Sequence, residues 1–227
     1  MITANVFRRT FFIQHSGSQA TAFTIDVDKK QYLITARHVC ASIKDGDSIG
    51  IFRNGSWQEK KAKVVGIGLP DRIDTDVVVL ALEEQLSPSF SLPPTSEGLV
   101  WSQNVYFLGY PYGLHTSVDV NDGYPLALVK GAVMSGSVGQ PGNPETFLLD
   151  GHNNRGFSGG PVVFQNGGEF KVMAVVSAYR TETVEVEFQG KPTGLASEAN
   201  TGIVVCPSIK QVVDMISAKP IGPAVAW

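Results

Sequence analysis

The chain has 227 residues, of which 43% are hydrophobic and 17% charged, with 24 glycines and 13 prolines. This supports a sizeable core in one large or two small domains, excludes a disordered chain, and favours short strands joined by tight turns over helices. The formal net charge is −3, and no basic cluster is longer than Lys60-Lys61 with Lys63, which reads as a solvated strand face and leaves no nucleic-acid footprint.

Taken in chain order, residues 1–9 lack the apolar run of a signal peptide, and no later segment is long enough to span a membrane. A cytoplasmic location is therefore expected. A strand is predicted over 6–13. Residues 20–27 alternate, with Ala22, Thr24 and Asp26 on one face and Phe23, Ile25 and Val27 on the other, the period of a half-buried strand. Further strands are predicted over 31–35, 48–53, 57–66 and 76–82, separated by turns such as Asn54-Gly55. Between 83 and 102 the composition shifts to Ser87-Pro88-Ser89, Pro93-Pro94 and Ser96-Glu97-Gly98, a linker signature. This divides the chain into 1–88, a linker over 89–102, a second unit over 103–206, and a helix and tail over 207–227. In the second unit strands are predicted over 104–108, 125–135, 146–149, 161–164, 171–178 and 202–206, with 184–188 as an extra hairpin arm. The Gly-rich run 135–142 reads as an exposed loop near a cleft. Ser208 caps a helix whose apolar stripe is Ile209, Val212, Val213 and Ile216, and Pro220 ends it. The apolar tail 220–227 is read as packing on the protein's own surface, with a docking strand as the alternative. Cys40 and Cys206 are the only cysteines and read as two buried free thiols.

The strongest chemical signal is Gly156-Phe157-Ser158-Gly159-Gly160-Pro161. A serine hydroxyl is a poor nucleophile unless a tight turn sets it beside a base, with backbone N–H groups aimed at the developing oxyanion. The glycines permit such a turn, and the N–H groups of Gly156 and Ser158 are the candidate oxyanion hole. A plain Gly-rich hairpin turn is the competing reading. His38 ends an apolar strand, where an imidazole needs a polar partner. Asp76 opens the apolar run 77–82 and is suited to burial beside that imidazole; Asp74 is its nearest competitor. The order His, Asp, Ser is that of the best-characterised triad arrangement and differs from those of subtilisins and α/β-hydrolases.

These motifs resemble those of trypsin-like serine proteases. Thr35-Ala36-Arg37-His38 is similar to the family's Thr-Ala-Ala-His box, Asp76-Val77-Val78-Val79-Leu80 to its Asp-led apolar strand, and Gly156 to Pro161 to its Gly-Asp-Ser-Gly-Gly-Pro box. Two segments narrow the resemblance to the bacterial, HtrA/Deg-like branch: Asn104 to Gly113, with its Gly109-Tyr110-Pro111-Tyr112-Gly113 end, and the closing segment Gly202 to Pro207. The resemblance implies an all-β fold of two six-stranded Greek-key barrels with a C-terminal α-helix. It further implies catalysis by Ser158, His38 and Asp76 in the cleft between the barrels, and an extended peptide pairing with Ser177-Ala178-Tyr179. No PDZ domain follows, so the processive role of many Deg proteins is not expected.

Phe157 stands where digestive-type members carry an aspartate that orders the oxyanion loop by pairing with a new N-terminus. That leaves open what orders 151–157, the loop itself or an activating protein partner. His152 is expected near the pocket base, where no Asp is found. Val176, Ala178 and Tyr179 are expected to form an apolar or shallow wall, and Arg155 and Arg180 read as solvated loop charge, with a preference for acidic residues near the scissile bond as the alternative. Together these lean towards a small or medium apolar side chain at the cut. A second class of function, a partner-gated effector or peptide-binding pseudoprotease, is kept beside the endopeptidase. No metal or cofactor is expected: neither metal-ligand spacing nor a phosphate loop is present.

Overall fold

The computed structural model describes residues 2–70, 72–116, 121–140 and 143–226. A single helical turn and a half, α1 (Ala4–Arg8), precedes the first barrel, so the strand predicted over 6–13 starts later. Alternation does not distinguish a short helix from a strand over so few residues. The barrel is built from β1 (Thr10–His15), β2 (Ser18–Val27), β3 (Lys30–Thr35), β4 (Ser48–Arg53), β5 (Ser56–Ile67) and β6 (Val78–Leu82), and closes in the order β1-β2-β3-β6-β5-β4. All pairs are antiparallel, so two-residue hairpins suffice at most corners and no edge is left open. Alternate positions of each strand point inward, and Phe11, Ile13, Leu33, Ile49, Val78 and Leu80 form the barrel's core.

The next strand, β7 (Asn104–Gly109), begins after the Ser/Pro-rich stretch. It is followed by β8 (Leu128–Gln140), β9 (Asn143–Asp150), β10 (Pro161–Asn166), β11 (Glu169–Val175), β12 (Ala178–Phe188) and β13 (Lys191–Pro207), in the sheet order β11-β10-β7-β8-β9-β13-β12. The two end segments are consecutive in the chain. The Ser177 N–H donates to the Val205 carbonyl at 3.1 Å, and Ala174 bridges to Ser208 just past β13. The sheet thus curls back on itself. The strand predicted over 171–178 is broken at 176–177, which is why this barrel has seven segments where six strands were expected. The Gly-rich run over 135–140 is not a loop but part of β8; its last two residues lie outside the described ones. Gly136 pairs with Leu148 and Gly139, at φ +129°, with Pro144, each at a register shift in the ladder; pairing with β9 overrides their turn preference.

The barrels are joined by a shared apolar cluster holding Phe23, Ile25 and Tyr32 of the first, Leu108, Val163 and Val172 of the second, and Ile209, Val212 and Ile216 of α2 (Ile209–Ala218). Tyr110 is fully buried at this seam. Its hydroxyl lies 3.0 Å from the Thr10 carbonyl and 2.8 Å from that of Pro125, and its ring stacks on Phe12. Ser208 caps α2 through the Lys210 N–H. The tail returns to the first barrel: Gln31 N–H donates to Pro223 and Val225 N–H to Lys29. Both cysteines are free and buried.

Candidate active site

β3 ends at Thr35, and the chain leaves the barrel through the short 3-10 turn Arg37–Val39. That turn lifts His38 to the rim, where its side chain is 49% exposed. Asp76 follows a second such turn, Ile73–Thr75, and is buried as the chain re-enters the barrel. Its carboxylate is committed on both oxygens. Oδ1 accepts the His38 backbone N–H at 2.9 Å; Oδ2 lies 2.7 Å from His38 Nδ1 and accepts the Ser177 hydroxyl at 2.5 Å. With an acceptor at Nδ1, the neutral ring carries its proton there and presents the Nε2 lone pair. Burial pushes the Asp76 carboxyl up, but the His38 and Ser177 hydrogen bonds and the nearby imidazole outweigh it and hold the group below the usual carboxylate range. The competitor Asp74 is turned away. Its carboxylate pairs with Arg72 and its carbonyl accepts Gln211 Nε2 at 2.6 Å.

Ser158 comes from the second barrel, on the loop between β9 and β10. Two of its glycines are required by geometry. Gly156 has φ +102° and a Cβ there would lie 2.3 Å from the Tyr110 carbonyl; Gly159 has φ +82° and a Cβ would lie 2.1 Å from the Thr21 carbonyl. The Arg155 carbonyl accepts the Tyr112 N–H at 3.1 Å and the Phe157 carbonyl accepts the Gly160 N–H at 2.9 Å. A planar trans peptide aims its N–H opposite its carbonyl. The Gly156 and Ser158 N–H groups therefore point away from those partners, and neither has a backbone acceptor among the described residues. The Ser158 hydroxyl donates to the Ser177 carbonyl at 3.2 Å.

What orders the loop is visible in its contacts. Phe157 is fully buried, edge-on to Phe107 at 5.0 Å; burial of such a ring is worth about 2–3 kcal/mol. Lys130 on β8 donates to the His152 carbonyl and to Asn154 Oδ1, both at 2.6 Å, and its ammonium sits 5.6 Å from the Phe157 ring centroid. Thr21 Oγ1 donates to the Gly156 carbonyl at 2.7 Å, and Asn200 Nδ2 to the Asn153 carbonyl at 2.9 Å.

A cleft of about 370 Å³ holds His38, Ser158, Arg155, Ser177, Ala178 and Tyr179 together with Asn153, Asn154 and Thr181. Two of the expected pocket residues do not line it. Val176 is fully buried in the second barrel's core, with its N–H and carbonyl tied to Gly160 and Gly159 at 2.8 and 2.7 Å. It braces the nucleophile loop instead of walling the cleft, because at the break after β11 its backbone pairs with the Gly159-Gly160 turn while its side chain stays in the core. The His152 side chain is exposed to solvent, and its carbonyl serves Lys130. Arg180 is exposed. Asn153 and Asn154 stand next to the nucleophile motif, and Thr181 two residues past the binding segment, but they carried no chemical signal of their own; Lys130 and Thr21 are too distant in sequence for any pattern to pick out.

A family model described as a trypsin-like peptidase domain matches residues 20–172. No curated protein matches the chain. Among solved structures, the inactive form of a serine-to-alanine mutant of Rv3671c from M. tuberculosis H37Rv is similar at 18% identity and a TM-score of 0.58, covering 98% of this chain and 92% of that one. The HtrA-type protease AlgW, solved as a serine-to-alanine variant with a tripeptide, is similar at 18% identity and a TM-score of 0.59, covering 95% of this chain and 61% of that one. At these identities what is shared is the fold.

Proposed function

Because the chain belongs to the trypsin-like peptidase domain family, we propose that it is a serine endopeptidase acting through an acyl-enzyme on Ser158. The observation that carries this reading is the His38–Asp76 pair, bonded through both ring and backbone, facing the same cleft as Ser158. In the proposed reaction an extended peptide pairs with Ser177 and takes over its carbonyl, which releases the Ser158 hydroxyl. Ser158 then donates to His38 Nε2 and attacks the scissile carbonyl as His38 takes its proton. Asp76 stabilises the resulting imidazolium, and the Gly156 and Ser158 N–H groups receive the oxyanion. His38 returns the proton to the leaving amine, and water hydrolyses the acyl-enzyme by the reverse path. With Val176 out of the apolar wall expected from Val176, Ala178 and Tyr179, the lining by Asn153, Asn154 and Thr181 favours a small polar side chain at the cut over an apolar one.

A fluorophosphonate probe should label Ser158 in the wild-type protein and not in Ser158→Ala. A folded wild-type sample that stays unlabelled, with and without lysate, sinks the reading. One observation favours the gated alternative: Ser158 is bonded to the Ser177 carbonyl. If gating by a partner protein is real, labelling rises when lysate is added to the pure protein.

A further inference from the structure

β12 and β13 do not stop at the barrel. They run on as a two-stranded ribbon whose residues are exposed on both faces from Arg180 to Glu198. The tip is a two-residue turn with Gln189 at φ +52° and Gly190 at φ +72°, the paired left-handed geometry of a tight hairpin. Alternation sorts the ribbon into two unlike faces. Val184, Val186 and Phe188 share one with Glu182 at its barrel end, and Leu195 lies directly opposite Val186; Thr183, Glu185 and Glu187 share the other, with Glu198 opposite Thr183. Phe188 is 70% and Leu195 66% exposed. A lone ribbon of this kind is marginal in water, and its apolar row lacks the cover a third strand would bring.

β12 is also the last strand of its sheet, so past the register shift at Arg180 its N–H and C=O groups that face away from β13 have no backbone partner among the described residues. It has no proline or lysine to blunt that edge. The edge is continuous with the cleft: Ser177 accepts the Ser158 hydroxyl, and Ala178, Tyr179 and Thr181 line the same space. Since β12 runs away from Ser158, a peptide added antiparallel to it runs towards Ser158. The paired segment is therefore the one preceding the scissile bond.

We propose that the outer edge of β12, from Thr183 to Phe188, is a docking strand for the substrate polypeptide on the amino side of the cut. It takes extended segments that alternate apolar and basic residues. This rests on the protease reading above and extends the bound segment well past the three residues at Ser177-Ala178-Tyr179. The chemistry follows from the faces. A strand added here sets alternate side chains beside Val184, Val186 and Phe188, and the others beside Glu185 and Glu187. The ribbon's four glutamates outnumber its two basic residues, Arg180 and Lys191, which selects for a basic partner. A second copy of the chain would bring glutamates against glutamates.

The test is binding to the Ser158→Ala protein, read by fluorescence anisotropy, so that no turnover is needed. The probe is a blocked, labelled peptide of about fourteen alternating valines and lysines, long enough at about 3.4 Å per residue to reach from Ser177 to Phe188. A counterpart with glutamate for lysine is compared with it. In one variant residues 183–198 are replaced by Asn-Gly, which keeps the cross-strand neighbours Glu182 and Ala199 facing each other. A second variant carries Glu185→Lys and Glu187→Lys on the full ribbon. Trimming should weaken the lysine peptide at least tenfold. The charge reversal should weaken it too while strengthening the glutamate peptide, which a misfolded protein would not do. The proposal is overturned if trimming changes affinity less than twofold, if the two peptides bind alike, if neither binds, or if trimming instead abolishes self-association in sedimentation. Failure of Ser158 to react with a fluorophosphonate would count against the protease reading and leave this binding result untouched.

Discussion

Asp76 shows how much one buried carboxylate is asked to do. It accepts the His38 backbone N–H, the His38 ring and the Ser177 hydroxyl. Asp76→Asn keeps the shape but offers one acceptor and one donor, so the ring is no longer held in the tautomer that leaves Nε2 free. We expect kcat on a peptide substrate to fall on the order of 10⁴-fold, with the melting temperature changed far less. The pH consequence has a definite sign. The folded-state pKa of Asp76 is depressed, so its stabilisation is fully present above the unfolded value of about 3.9 and is lost as pH falls through the lower folded value. Thermal melts between about pH 2 and 6 should therefore decline less steeply below about pH 4 in Asp76→Asn than in wild type; equal slopes would show that other carboxylates carry the acid sensitivity. At this scale the sequence was informative where a residue's role is announced by its neighbours, as in Arg37-His38, Asp76-Val77 and the Gly-flanked Ser158. It was silent on Thr21 and Lys130, which reach the loop only after the chain has folded.

The 151–157 loop is held by elements that come from three parts of the chain: β2 through Thr21, β8 through Lys130 and β13 through Asn200. Phe157 replaces an ionic anchor with an apolar one. Lys130 adds two hydrogen bonds from an ammonium whose pKa is lowered by burial. Lys130→Met keeps the stem over Phe157 but removes both bonds. We expect amide hydrogen exchange over 152–156 to accelerate at least tenfold while β10 and β11 keep their protection, and fluorophosphonate labelling of Ser158 to slow in parallel. Unchanged exchange in that loop would assign its order to Phe157 alone. Element type was readable where alternation persisted, as over 20–27, although both faces are buried over 20–25; of the helix stripe, Ile209, Val212 and Ile216 are buried as their spacing implied and Val213 is half-buried. Elements were misread where local preference and tertiary pairing disagreed: the glycines of 135–140 belong to a strand, and the apolar start of 6–13 is partly helical. The hairpin arm was anticipated over 184–188 but not its length, because polar ribbon residues carry no burial pattern.

At the scale of the whole molecule, Cys40 and Cys206 sit in the cores of different barrels. Burial pushes the Cys40 thiol up to about 12 and raises that of Cys206 as well. At neutral pH neither forms the reactive thiolate. Both should resist a thiol reagent in the native state and react on unfolding, with Cys40 reporting the first barrel and Cys206 the second. Equal rates in rising denaturant would mean that the barrels unfold together, as their shared apolar seam implies; unequal rates would mean that the seam opens first. The sequence by itself determined the strand-rich composition, the three short motifs with their order, and the capped helix, since each depends on residues adjacent or regularly spaced in the chain. The tertiary structure alone decided that Val176 braces and does not line the cleft, that the loop's anchors are Thr21, Lys130 and Asn200, and that β12 is left with an open edge. Those outcomes depend on which segments meet across two barrels, and side-chain pattern along one strand carries no information about its partner or about the edge that has none.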